Sequence, residues 1–448
     1  MPATGLQRTI RIAPRFWVLA AILLLALDLR VESVLHSVVD NPVRADARDY
    51  VLYAYNLEHY GVYSRADTWQ PDAPAPAPDA MRVPLYPLFL TVFLDPPPTL
   101  ASLRTALIAQ ALLGTVTVAL VYALARAVLA VPFALAAAAL AALSPHLVTM
   151  TIYLLSETVL CFALVLALLC AVRGLRSGRP GPAVASGVLM ALAALAHPLA
   201  QYFVVFVAAY LLVVRDVPSA RRAAALLVVG FGLAFGPWVA RNAVSVGSSD
   251  PTLMLATLRA GAYPNLMYDN RPETYGYPYK ADPGYPEAIK DPGATARAIA
   301  QSFREQPWEQ TRWYLFGKPA LLYSWDNVEG QGDVYVYPTL SSPYAYLPVF
   351  EFTHALMRKL HGLLVVLMGV GAVLAWLPAR WSRLAPETAF AARLISLLLA
   401  YHLAVMVVGF PLPRYAIALR PFLYVMALLP LAVVLNRPTL DRIRHAFR

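Results

Sequence analysis

Charge is scarce in this sequence. Asp, Glu, Lys and Arg make up 14% of its 448 residues and hydrophobic residues 59%, whereas an ordinary soluble domain carries roughly 25% charged residues. With a mean hydropathy of +0.57, the chain reads as a polytopic membrane protein. Cysteine is almost missing. Cys161 and Cys170 lie in one apolar run, nine positions apart. At roughly 100° per residue they fall on opposite helix faces, so no disulfide joins them and the redox compartment cannot be read from them. No small-residue cleavage site closes the first apolar run, which ends in Asp28, Arg30 and Glu32. It therefore reads as an uncleaved first helix, not a signal peptide. No internal repeat is visible.

What charge there is falls into a pattern. The net charge of +10 would suit nucleic acid, but the basic residues sit mostly in short loops between apolar runs. That is a topological signal, with cytoplasmic loops carrying the Lys and Arg. Arg8, Arg11 and Arg15 precede the first run. Further runs lie near 101–125, 128–144, 148–172, 183–196, 199–214, 223–240, 357–377, 389–410 and 416–435. Inner loops carry Arg126, then Arg173, Arg176 and Arg179, then Arg215, Arg221 and Arg222, then Arg380 and Arg383, and the tail after Asn436 is basic. The hairpins at Ser144-Pro145-His146 and His197-Pro198 carry almost no positive charge. The expected fold class is an all-α bundle of about ten spans with both ends cytoplasmic.

Two outer segments, 31–100 and about 242–356, are too long to be plain connectors. They divide the chain into an amino-terminal transmembrane module over 1–241, an aromatic and Pro-rich outer segment over 242–356, and carboxy-terminal helices over 357–448. The first outer segment holds Asp46 and Asp49 ahead of a Tyr-rich stretch, then Arg82 just before apolar sequence resumes. On a helix the two acids lie one turn apart on the same side. The second is dense in Tyr, Pro and Trp, which suits headgroup depth and also stacking on sugar rings.

Several motifs occur in a set order. Arg30 lies late in the first helix. Asp46-x-x-x-Tyr50-x-x-x-Ala54-x-x-Leu57 leads to Gly61-x-Tyr63, followed by Arg82-x-Pro84-Leu85-Tyr86-Pro87, Leu155-Ser156-Glu157, Pro237-Trp238-x-x-Arg241-Asn242 and Arg414-Tyr415. In this order, along most of its length, the chain resembles the GT-C fold membrane glycosyltransferases, the set that includes protein O-mannosyltransferases and the aminoarabinose transferases of lipid A. It departs from them in having Asp46-Ala47 where many relatives have Asp-Glu, and Arg82-Val83-Pro84 where many have Lys and two prolines. The resemblance implies sugar transfer from a polyprenyl-phosphate donor to a lipid, polysaccharide or protein acceptor, at the outer face of the cytoplasmic (inner) membrane. Such chemistry requires a base for the acceptor, alignment behind the anomeric carbon, and cations for the departing phosphate.

The residues expected in those roles follow. Asp46 is the base, with Asp49 as its understudy. Arg82 forks onto the donor phosphate, and Arg241 and Arg414 complete a basic pocket. Tyr50, Tyr86, Glu157 and His146 are candidate substrate contacts. His146, Met150, Tyr153 and Glu157 recur at helical spacing and would share one face. Inversion follows from a single displacement with one base. No cofactor is called for. His146 and His197 lack a third metal ligand and read as polar caps, although a divalent metal stays compatible with the acids. Asp326, Glu329 and Asp333 read as a solvated turn, lacking the ligand register of a calcium loop. A transporter or flippase of a lipid-linked substrate would favour repeats and broken helices at the midplane. An inactive scaffold of the same fold is the other alternative.

Overall fold

A computed structural model describes residues 14–70, 73–95, 97–214, 217, 219–247, 252–266, 276–328 and 331–435. The basic residues Arg8, Arg11 and Arg215, the tail after Asn436, and Glu329 lie outside the described residues. The chain folds almost wholly as helix. In order come α1 (Pro14–His36), α2 (Ala45–Tyr60), α3 (Leu85–Thr91), α4 (Leu100–Ala125), α5 (Val131–Leu143), α6 (Pro145–Thr149), α7 (Glu157–Gly174), α8 (Pro180–Ala196), α9 (Phe203–Val214) and α10 (Ala220–Ser245). Short helices of the second outer segment follow, and then the long helices Pro348–Leu374, Pro386–Val408 and Arg420–Leu435.

Six helices are long and apolar enough to cross a membrane, or seven when α5 and the segment Pro145–Ile152, bent by 53° to each other, count as one span. The first helix and the shorter apolar helices Pro180–Ala196 and Pro198–Val213 complete the expected set of about ten rods. The first helix misses that criterion because Arg15, Asp28, Arg30 and Glu32 leave it no sufficiently uncharged window. Two helices form the centre. Glu157–Ser177 has 72% of its apolar window buried and Pro413–Leu435 has 78%, whereas Ala220–Ser245 and Pro348–Leu374 have 22% each and face outward.

Two features hold this bundle together where lipid supplies no hydrophobic drive between helices. Helices α8 and α10 meet backbone to backbone: a Cβ on Gly187 would lie 2.0 Å from the Leu227 carbonyl oxygen, and one on Gly230 would lie 2.1 Å from that of Val184. Arg30, 1% exposed, donates to the carbonyls of Ala26, Ala141 and Ala142 at 3.0, 3.1 and 3.3 Å. It thus staples α1 to the last turn of α5, whose carbonyls have no helical partner.

The expected helix over 148–172 is broken. Pro145 opens α6, a tight turn spans Met150–Ile152, Tyr153 is extended, and α7 begins at Glu157. The Gln110 amide of α4 donates to the freed carbonyls of Thr151 and Tyr153 at 3.3 and 2.9 Å, which stabilises the bend. His146, Met150, Tyr153 and Glu157 therefore do not form one helical stripe. Outside the bundle, the two long segments meet: Val38–Val39 pairs antiparallel with Thr339–Ser341.

Candidate active site

Helix α2 sets the geometry. Its first turn carries Asp46, where the positive end of the helix dipole favours a carboxylate. Gly61, in the left-handed region at φ 66, ends it and turns the chain back. At three- and four-residue spacing, Asp46, Asp49, Tyr50 and Tyr53 share one side of the helix. The segment after Gly61 lays Arg82 against that side. The Arg82 amide donates to the Tyr53 hydroxyl at 3.3 Å, and the Tyr63 hydroxyl donates to the Arg82 and Val83 carbonyls at 3.1 Å each. The rings of Tyr53 and Tyr63 stack at 4.2 Å. These two tyrosines are what fix Arg82. The Tyr-rich composition signals them, although platform or sugar-stacking roles are the more obvious reading.

The side chain of Arg82 bridges both acids. Its Nη2 lies 2.6 Å from Asp46 Oδ1 and 2.7 Å from Asp49 Oδ2, and its Nε donates to the same Asp49 oxygen at 3.1 Å. Arg414 arrives from the far end of the chain, in the turn before the last helix, and binds the other Asp46 oxygen. Its Nε lies 3.9 Å from Glu157 Oε1. Arg65 adds a looser contact to Asp49 at 3.9 Å. Charges thus alternate through Glu157, Arg414, Asp46, Arg82 and Asp49, with Arg82 and Asp46 about a quarter exposed (24% and 23%) and Arg414 nearly covered (9%).

Electrostatics follow from this packing. Burial pushes the Asp46 carboxyl up, but the charges and hydrogen bonds of Arg414 and Arg82 outweigh it and hold the pKa down to about 2. Arg82 is raised: burial works against its charge, but Asp46, Tyr50 and Asp49 together more than restore it. Burial lifts the Tyr50 hydroxyl to about 12.

The remaining expected residues divide. Tyr50 lies beside the cluster, 5.5 Å beneath the Arg82 guanidinium, and donates to Ser156 Oγ at 3.2 Å. Tyr86 stands behind it, edge-on at 4.8 Å, with its hydroxyl on Gln110 at 2.6 Å. Arg241 is elsewhere. Its guanidinium donates to the carbonyls of Asp79 and Tyr63 at 2.7 and 3.0 Å and sits 5.3 Å from the rings of both Tyr63 and Trp238. It clasps the first outer segment to α10.

His146 also stands apart. Its Nε2 meets the Trp325 carbonyl oxygen at 2.7 Å, and His146, His354 and His361 all set their rings nearly perpendicular to the Trp325 indole. Asp333 is not the solvated turn residue its composition suggests. Held at φ 50, it accepts from the Trp325 indole at 2.6 Å and lies 2.8 Å from His354 Nε2. His197 caps its own turn, accepting from the Leu199 amide at 3.1 Å. Burial, then Arg414 and Arg82 opposite, hold it neutral at about 4. Its place beside the cluster was not read from the sequence. Among the described residues, no three of His, Cys, Asp and Glu are grouped to hold a metal ion.

With this geometry in view, likenesses to known proteins become informative. The family of dolichyl-phosphate-mannose-protein mannosyltransferases matches residues 88–240. Archaeal oligosaccharyltransferase AglB from Archaeoglobus fulgidus, in complex with an inhibitory peptide and a dolichol-phosphate, superposes with a TM-score of 0.52 at 15% identity. That match covers 97% of this chain and 52% of the other. The chain has the GT-C fold. A second structure of the A. fulgidus oligosaccharyltransferase, tethered to an acceptor peptide, gives 0.50 at 17% identity over 96% of this chain and 50% of that one. The GT-C chain described here therefore spans about half the length of the oligosaccharyltransferase structures it matches. ArnT from Cupriavidus metallidurans, bound to undecaprenyl phosphate, aligns at 18% identity over 95% of this chain and 79% of that one, with a TM-score of 0.42. No curated protein matches the sequence.

Proposed function

We propose that this chain is a membrane glycosyltransferase that moves a sugar from a polyprenyl-phosphate donor to an acceptor at the outer face of the cytoplasmic membrane. One observation carries the reading: Arg82 and Arg414, 332 positions apart in the chain, converge on opposite oxygens of Asp46. Two fixed guanidiniums around one partly exposed carboxylate are the complement of a phosphate leaving group and an acceptor proton.

Asp46 at a pKa of about 2 is a feeble base. The donor phosphate supplies the remedy, because it competes for the same guanidiniums. Once it draws Arg82 or Arg414 away, Asp46 loses the charges that depress it and its proton affinity climbs. The acceptor hydroxyl then gives its proton to Asp46 while its oxygen bonds to the anomeric carbon. The bond from that carbon to the phosphate oxygen breaks, and its electron pair leaves with the polyprenyl phosphate. Charge growing on that phosphate is met by Arg82 and Arg414. A single displacement of this kind inverts the anomeric centre. Asp49 keeps Arg82 aligned, and the Tyr50 ring supports the guanidinium from beneath.

The test is donor binding and single-turnover rate for Arg82→Ala and Arg82→Lys in one detergent. Alanine should weaken donor binding and slow transfer, because the same contact strengthens as the leaving group gains charge. Lysine should recover only part of both, since a point charge cannot reproduce the fork. Equal donor affinity in wild type and Arg82→Ala would remove Arg82 from the site and leave Arg414 as the clamp.

A further inference from the structure

A second basic site lies at the other end of the bundle. Helix α4 (Leu100–Ala125) passes behind the Asp46 cluster at Gln110, which accepts from the Tyr86 hydroxyl, and runs on for about 24 Å at 1.5 Å per residue to end at Arg126. There a cavity of about 350 Å³ is walled by residues 126–130, by the turn 383–385 with Thr388, and by Leu429, Ala432 and Val433 of the last helix. This volume is within the range of small-ligand pockets, about 300–1,000 Å³.

Its chemistry is two-sided. Arg126 and Arg383 are both exposed at its rim, whereas Val128, Leu129, Leu384 and Leu429 form a buried apolar floor. Among the described residues, neither arginine has a carboxylate within 4.0 Å. Arg126 is turned over its own loop, donating to the Leu129 carbonyl at 2.6 Å. Glu387, the carboxylate nearest in sequence to Arg383, is engaged by Arg176 at 3.1 Å. Arg383 is held in the left-handed region at φ 57, an uncommon state for a long side chain and one that clusters at ligand clamps. In addition, α5 and Pro386–Val408 both begin at the cavity without a side-chain cap, which adds two positive helix ends to the field.

The surroundings place this cavity at lipid depth. Trp381, two residues before Arg383, is 67% exposed, and Val434 and Leu435 beside the floor are 54% and 53% exposed. A Trp at this position marks the membrane–water boundary, and the apolar flank continues the floor outward along the last helix.

We propose that this cavity binds the headgroup of an anionic phospholipid in the leaflet opposite the Asp46 cluster. The phosphate sits between Arg126 and Arg383, and an acyl chain runs along Leu429 and Val433. Basic pockets between transmembrane helices are suited to such headgroups. The site is separate from the proposed transfer chemistry and does not depend on it.

Native mass spectrometry tests this on the intact protein, delipidated and then titrated with phosphatidylglycerol or phosphatidylcholine. Wild type should retain phosphatidylglycerol in preference. Each arginine near an anionic surface is worth about fivefold, so Arg126→Gln with Arg383→Gln should lower that preference by about 30-fold. The pair Arg173→Gln with Arg380→Gln, basic residues outside the cavity, should leave it unchanged. Soluble glycerol phosphate should displace the lipid poorly, because it cannot use the floor. An equal loss in both double variants would reduce the effect to diffuse attraction by basic loops. Glycerol phosphate binding as tightly as the lipid would make this a soluble-anion site. Either result overturns the proposal.

Discussion

Two polar clusters sit among the outer segments, and they are built on opposite principles. Around Asp46, three arginines (Arg82, Arg414 and Arg65) share two carboxylates, and Arg82 and both acids remain partly open to solvent. Around Trp325, three histidine rings, a carboxylate and an arginine close on one indole, and His146, at its heart, is fully buried. The first cluster is over-supplied with charge, so a phosphate can exchange for a carboxylate with little net loss of pairing. The second consists largely of hydrogen bonds that each aim one group at one partner, with ring edges set against the indole, so exchanging a partner breaks a directed contact with no second ion pair to replace it. Arginines teach the same lesson: Arg82 spends its donors on ionised, exchangeable partners, whereas Arg241 spends its on backbone carbonyls and rings. One arrangement suits turnover, the other holds a shape.

The sharpest way to break this contrast is Asp46→Asn. It keeps shape but removes the proton acceptor, so turnover should fall by roughly 10²-fold or more. Donor lipid should still bind, since Arg82 and Arg414 lose a competitor. Full activity in Asp46→Asn with an inactive Asp49→Asn would move the base one turn along α2.

The second cluster should respond in the other currency. Asp333→Ala leaves the Trp325 indole N–H without its acceptor, at a cost of about 1–3 kcal/mol, so thermal stability should fall while turnover per folded molecule holds. A loss of turnover at unchanged melting temperature would place the histidine cluster in the reaction.

The degree to which the sequence foretold these clusters depends on the range of the contacts involved. Asp46 and Asp49 were readable together because helical register is local: three positions on one turn fix a shared side. Arg82 and Arg414 were nominated by their place in an ordered set of motifs, since nothing within ten residues of either names its partner. The same rule also nominated Arg241, and there it separated nothing, because local sequence does not reveal that two carbonyls of the first outer segment occupy its guanidinium. The break ahead of Glu157 escaped for a similar reason. Apolar residues continue through 147–155, and the bend exists because Gln110, some 40 positions away, accepts the cost of two unpaired carbonyls. His146 is a companion of Glu157 only on a continuous helix, and the break at Met150–Ile152 parts them.

The smallest effect expected, and the most diagnostic, lies in the pH profile. In the free protein Asp46 has its pKa lowered to about 2. A carboxylate lowered in the folded state contributes stability that is complete above its unfolded pKa of about 3.9 and is lost as pH falls through about 2. The acid limb of kcat/KM, which reports the free enzyme, should therefore be flat down to about pH 4. The limb of kcat reports the loaded enzyme. If the donor phosphate has drawn a guanidinium from Asp46, the pKa in that limb should stand about 1–3 units higher, the size of shift an adjacent arginine imposes. In Arg414→Gln the free-enzyme limb should rise toward the loaded one, because one of the two depressing charges is already gone. Coincident limbs in wild type, or an acid limb of kcat/KM near neutrality, would show that the donor does not unmask Asp46 and that the proton goes to another group.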